Sequence, residues 1–222
     1  MQASRVLDYL YANRIDELIA KLKDEIYANS LRRKPNAKKR YSAMKKYFTY
    51  ADSVREVCQK ACKIELDGVE YTSFTNSYSL ALTTEDTGEI ELFDTENGTY
   101  PDVSRLVNFS GEEGRINFGK VLAEAKMQGY KLRKPQFFSN GYLMHYNGAY
   151  FRIPLIETTY GIIADGEDAT VYHRGGPTPL TIKNDIGIAM VMPVRYENVN
   201  PEDNGNIVIE AILKGEEYED RI

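Results

Sequence analysis

The stretch "AMVMPVRY", residues 189–196, constrains this chain more than any other. With Ile188 before it, no polar side chain interrupts the run until Arg195. A strand that is apolar on both faces is covered on both sides, so this one predicts packing above and below a sheet. Proline brings no amide hydrogen to a ladder, which puts Pro193 at a strand end, an edge or a bulge. The rest of the chain must therefore supply two covering layers and a rigid exit from the strand. Its 222 residues, 42% hydrophobic and 27% charged, are ample for such a core.

Leu7, Leu10, Tyr11, Ile15, Leu18, Leu22 and Ile26 recur at helical spacing and predict a helix over about residues 4–29. Pro35 and Asn36 break that pattern, and a second helix is expected from about Tyr41 to Cys62. From Lys63 the texture changes to short strands and turns. Asp67-Gly68 and Asn147-Gly148 are hairpin signals. "INFGKVLAEAKMQG" reads as a short helix capped by Asn117 and stopped by Gly129. "IPLIETTYGIIADG" reads as another, opened by Pro154 and closed by Gly166. The strands "ATVYH", "PLTIK" and "IAMVMPV" follow, so the end of the folded region has the order β-α-β-β-β. The expected fold class is α+β, with helices packed on antiparallel sheets. A helical N-terminal region at 1–62 precedes the α+β domain at 63–196, and an acidic tail spans 197–222.

The net charge of −5 hides an asymmetry. Between Ile26 and Ala51 there is no acid, while Arg32, Arg33, Lys34, Lys38, Lys39, Arg40, Lys45 and Lys46 are all basic. Such a block, with Tyr41, Tyr47, Phe48 and Tyr50 nearby, suits phosphate neutralisation and base contact. The predicted DNA-binding set is Arg32, Arg33, Lys34, Lys38, Lys39 and Arg40, joined by Lys120, Lys131, Arg133 and Lys134 if the helix near 118–129 faces DNA. Nucleic acid is the expected partner.

Signals for catalysis are sparse. No glycine-rich phosphate loop and no HExxH motif occurs. Cys58, Cys62, His145 and His173 fit no zinc-finger or ribbon spacing, so no metal or cofactor is expected. Asp102, Glu124 and Lys126 match a scattered acid-and-lysine nuclease pattern, which needs its carboxylates converging on one cation. A metal-dependent nuclease is therefore the outside reading. No apolar run approaches the length of a membrane span, and the first residues carry no apolar signal core, which leads to an expected cytoplasmic location.

Three stretches carry a resemblance. Thr75-Asn76-Ser77-Tyr78-Ser79-Leu80-Ala81, Tyr100-Pro101-Asp102-Val103-Ser104-Arg105-Leu106 and Val191-Met192-Pro193-Val194-Arg195 resemble, in order, three motifs of the bacterial DNA polymerase sliding clamp (beta clamp) family. Asn stands for Asp and Ser for Arg in the first motif. The β-α-β-β-β ending is similar too. The resemblance covers roughly residues 63–196 and implies a clamp-like fold and a non-enzymatic DNA replication accessory role. It also implies a groove that holds the peptide of a DNA polymerase or other clamp user. The groove residues it implies are Thr75, Leu80, Pro101, Arg105, Leu106, Met192, Pro193, Val194 and Arg195. A cellular clamp subunit has three such domains, for which 222 residues are too few. The chain is closer to the reduced clamp-like proteins of phages and mobile elements. Encircling DNA would then require a homo-oligomer. The alternative is a decoy that binds clamp partners without encircling DNA.

Overall fold

A computed structural model of the chain describes residues 6, 9–10, 14–31, 34–48, 56–96, 98–131, 141–166, 168–194 and 205–213. The first elements described in full are the helices α1 (Ile15–Ser30) and α2 (Pro35–Tyr47). A 3-10 turn (Glu56–Cys58) leads into β1 (Cys62–Leu66), β2 (Val69–Thr75) and β3 (Ser79–Thr83). A second 3-10 turn (Val103–Arg105) precedes β4 (Glu112–Asn117), α3 (Phe118–Met127), β5 (Tyr142–Tyr146) and β6 (Ala149–Arg152). The remaining elements are α4 (Ile153–Ile163), β7 (Asp168–His173), β8 (Leu180–Lys183), β9 (Gly187–Val191) and β10 (Ile207–Glu210).

The larger sheet has the order β1-β2-β3-β9-β8-β7-β4 and is antiparallel throughout. Its centre is the β3–β9 pair, with Leu80 opposite Met190 and Ala81 opposite Ala189. On either side of this pair the same motif recurs, a helix followed by a three-strand meander: α2-β1-β2-β3 and α4-β7-β8-β9. The two helices pack on each other, and α4 lies on β3 and β9. Gly161 permits this approach, because a Cβ there would stand 3.2 Å from Ala43 Cβ. A smaller sheet has the order β10-β5-β6, with β10 parallel to β5.

The opening stretch behaves as its composition demands. Ala81, Ala189 and Val191 join Phe74, Ile182 and the apolar sides of α2 and α4 in the main core. The alternate residues Leu80, Leu82, Ile188 and Met190 belong to a second cluster with Val103. Successive side chains of a strand point to opposite faces, so β9 is buried on both. β9 ends at Val191, and Pro193 lies outside the ladder. Beyond it, Val194 N–H donates to Tyr150 O of β6 at 2.8 Å, which carries the chain toward the smaller sheet.

The hairpins form where expected: Asp67 and Gly68 have φ of 53° and 75°, and Asn147 and Gly148 have 46° and 73°. Both pairs supply the two positive dihedrals that a tight hairpin turn needs. Asn117 caps α3 by accepting from Lys120 N–H at 2.7 Å.

Three expectations change. The predicted helix from Tyr41 to Cys62 instead starts at Pro35, whose fixed φ suits a first helical turn, and ends at Tyr47. Cys62 opens β1 because it pairs with Ser73 of β2, a contact that helical spacing cannot reveal. Within the segment expected to be an acidic tail, Ile207–Glu210 forms a strand with Ile209 buried. His145 Nδ1 lies 2.9 Å from the Glu210 carboxylate and joins β10 to β5. At the other end, Tyr41, Met44 and Tyr47 of α2 are buried in the main core.

Candidate functional site

The three motif segments meet on the sheet face opposite α2 and α4. Leu80 of β3, Met190 of β9 and Val103 of the 3-10 turn share one apolar cluster, with Tyr100 and Val107 packed against it. Three local devices hold the segments in place. The hairpin between β2 and β3 is built around Asn76, which is buried and whose Oδ1 accepts from Tyr78 N–H, Ser79 N–H and the Ser79 hydroxyl at 2.8–3.1 Å. Tyr100 is anchored by its hydroxyl, which donates to Ser73 O at 3.2 Å and meets Ser73 Oγ at 3.1 Å. Burial pushes its phenol well above the ordinary tyrosine range. Asp102 caps the 3-10 turn by accepting from Ser104 N–H and the Ser104 hydroxyl, and it pairs with Arg105 at 2.9 Å. The bonds from Ser104 hold its carboxyl below the usual range.

Above this floor the surface is apolar with a charged margin. Leu106 is 47% exposed, Met192 39% and Tyr78 42%. Met192 N–H donates to Tyr78 O at 2.9 Å, which places these two exposed residues on adjacent chains. Pro101 and Arg105 are exposed, while Pro193 and Val194 are half-buried. Leu80, expected on the wall of the groove, is only 1% exposed and lies beneath it as support. Thr75 is likewise buried, its hydroxyl donating to Ser79 O at 3.2 Å, so it shapes the hairpin instead of facing a ligand. Arg195 lies outside the described residues. Sequence reasoning passed over Val103, Met190 and Tyr78. The first two follow from strict alternation along β9 and from the apolar position inside the 3-10 turn.

The basic residues divide. Lys34, Lys38 and Lys39 are exposed, as are Lys120 at the start of α3 and Lys131 after it. Arg32, Arg33, Arg133 and Lys134 lie outside the described residues. Arg40 corrects the sequence expectation. Its side chain is 6% exposed, donates from Nε and Nη2 to the Glu85 carboxylate, and donates from Nη1 to Ala164 O at 2.8 Å. A residue enclosed by α2, the Glu85 loop and the end of α4 is structural, because helical periodicity puts Arg40 with Tyr41, Met44 and Tyr47 on the inward face. Lys45 is also committed, to Asp24 of α1 at 2.9 Å.

The nuclease pattern does not converge on a common point. Glu124 Oε1 accepts from Gln128 Nε2, Lys126 pairs with Glu157 at 3.6 Å, and Asp102 holds its own turn. Among the described residues no group of three or more acidic, cysteine or histidine side chains is placed to share a metal ion.

Structural comparison finds the same architecture elsewhere. A candidate DNA polymerase III beta subunit from Eubacterium rectale superposes with a TM-score of 0.50 at 9% identity, over 72% of this chain and 64% of that one. The fold is that of a sliding clamp. The beta subunit from the DNA polymerase of Streptococcus pyogenes aligns with this clamp-like chain at a TM-score of 0.47 and 13% identity, over 70% of this chain and 64% of that one. The DNA polymerase III subunit beta from Pseudomonas aeruginosa aligns at 0.45 and 16%, over 70% and 65%. In all three the match spans less than two thirds of the clamp subunit. No protein-family model matches the sequence, and no curated protein does either. Among the described residues no helix is long and apolar enough to cross a membrane.

Proposed function

We propose that this chain is a non-enzymatic, sliding-clamp-like accessory protein of DNA replication that holds a short peptide of a DNA polymerase or another clamp user. The observation that carries this reading is that Leu80 and Val103, from two of the motif stretches, share one apolar cluster with Met190, which immediately precedes the third, while Leu106 and Met192 are exposed. A buried, well-braced floor with an apolar centre and a charged margin is the anatomy of a peptide hot spot. Arg105, exposed beside Leu106 and paired with Asp102 at the surface, would bond the carbonyls of a docked backbone by exchanging that pair. Double-stranded DNA is the second proposed partner, through Lys38 and Lys39 on the solvated side of α2 with Lys34, and through Lys120 and Lys131 if α3 turns toward it. Small clamp-like proteins of the kind carried by phages are the proposed class, and the bacterial cytoplasm is the proposed setting. The decoy reading keeps the peptide groove without DNA encirclement.

The test is titration of a labelled peptide rich in Gln and Leu and ending in Leu-Phe, followed by fluorescence anisotropy. Wild type binds, and Met192→Ala or Leu106→Ala weakens binding by about tenfold to a hundredfold, the loss of one anchor contact of roughly 1–3 kcal/mol. No binding to wild type refutes the groove for this peptide class. DNA binding that weakens steeply with salt, and whose salt slope falls in a Lys38→Glu, Lys39→Glu variant, separates the clamp reading from the decoy.

A further inference from the structure

The outward face of α1 is apolar. Ile15 is 49% exposed, Ile19 45%, Leu22 38% and Ile26 69%. Helix α1 docks on the protein through its other side. Asp24 accepts from the Tyr41 hydroxyl at 2.5 Å and from Lys45, and the Tyr27 ring stacks edge-on against Tyr41 with 4.7 Å between centroids. Ala28 and Leu31 pack against the main core. At 3.6 residues per turn these four point about 160° around the helix from the mean of the exposed stripe. Leu18, at one edge of the apolar face, is buried, and the Ile15-Ile19-Leu22-Ile26 stripe beside it faces solvent, where burial alone would not put it.

The spacing of the stripe is specific. Its steps are four, three and four residues, the alternation of a and d positions in a two-helix seam. In that register Asp16 and Lys23 occupy the two e positions that flank the seam, both exposed, with no ion pair to either among the described residues. In an antiparallel pair of identical helices the e positions of one face the e positions of the other. Centring the pair between Ile19 and Leu22 brings Asp16 of one copy toward Lys23 of the second, and the reciprocal pair follows by symmetry. A parallel pair would set Leu18 opposite Lys23, with no charge match.

We propose that α1 is a self-association surface, on which a second copy of this chain docks its own α1 antiparallel across the Ile15-Ile19-Leu22-Ile26 seam. The arrangement is isologous and closes at two copies. Each helix is already ordered on its own domain, so docking orders little further chain. The inference does not rest on the peptide groove, whose exposed residues lie on the sheet face away from α2 and α4.

Sedimentation velocity of the full chain between about 1 and 100 µM tests it. Wild type passes from monomer to dimer, and Ile19→Glu stays monomeric throughout with an unchanged circular dichroism melt. Ile26→Glu, at the most exposed position, gives the same result if Ile19→Glu affects folding. Lys23→Asp weakens the dimer at least tenfold by opposing like charges, and the double variant Asp16→Lys, Lys23→Asp restores it. Wild type that remains monomeric, and so leaves the stripe to some other occupant, overturns the proposal. So does a trimer, a dimer indifferent to both glutamate variants, or a double variant that fails to recover. Peptide titration of the same variants should give wild-type affinity, which keeps this test separate from that of the groove.

Discussion

Replacing Arg40 by Met separates a structural cation from a nucleic-acid contact. The guanidinium is nearly enclosed, while Glu85 keeps 24% of its side-chain surface in water. Removing one member of a fully buried ion pair destabilises by about 3–5 kcal/mol, because the other charge is left without its partner. The partial exposure of Glu85 lets water take over some of that role, so the expected loss is about 2–3 kcal/mol. The bond to Ala164 O, which ties α2 to the end of α4, is lost as well. For a chain of this size that range lowers Tm by about 5–10 °C. Thermal unfolding by circular dichroism measures it, with DNA affinity measured by anisotropy well below the melt. A double-mutant cycle with Glu85→Leu gives the coupling. Both single variants are destabilised, the double variant is less so than their sum, and the interaction term is about 1–2 kcal/mol. Folded Arg40→Met should bind DNA as wild type does. A variant that melts within about 1 °C of wild type yet loses DNA affinity would show that Arg40 is a phosphate contact and that the burial argument is wrong.

Leu80→Ala, in the supporting layer, should destabilise by about 2–5 kcal/mol in a urea titration, whereas Met192→Ala on the surface should cost under about 1 kcal/mol. Equal losses would mean that the two do not occupy different layers. Gly187→Ala should prevent the native β3–β9 pairing, since its Cβ would lie 1.9 Å from Leu82 O; a soluble variant with wild-type Tm would refute that close approach. Alkaline stability should fall from pH 10 upward. Burial, with Asp86 nearby, raises the Tyr27 phenol to about 12, and burial lifts Tyr41, Tyr47 and Tyr100 further. A raised folded-state pKa contributes stability that is full below the unfolded value of about 10 and is lost as pH climbs through the folded value. Tyrosinate absorbance at 295 nm should show these phenols ionising together with unfolding; smooth titration near pH 10 with the fold intact would contradict their burial.

Local chemistry made part of this protein legible from its residues. The Asp67-Gly68 and Asn147-Gly148 hairpins, the Asn117 cap and the final β-α-β-β-β order rest on φ preferences and capping bonds that span a few residues. The two-sided burial of β9 followed from its unbroken apolar run. The three motif stretches marked the candidate groove through their resemblance to the sliding clamp family, and each also combines apolar residues with a turn-forming or charged one. Their convergence was beyond the sequence, because Leu80 and Met190 meet only through β3–β9 pairing across more than a hundred residues. The same limit explains the misplaced second helix, where pairing between Cys62 and Ser73 outweighed a helical pattern. It explains Arg40 as well: charge predicted a surface residue, but the position shares a helix face with Tyr41, Met44 and Tyr47. The periodicity announced a helix over about residues 4–29, of which the described part includes α1 (Ile15–Ser30), and gave no sign of which way α1 would turn. Hydrophobic spacing fixes the faces of a helix relative to one another. Which face meets the protein depends on the partners available, and here the bonds from Tyr41 and Lys45 to Asp24, with the packing of Tyr27 on Tyr41, hold the Asp24-Tyr27 side inward.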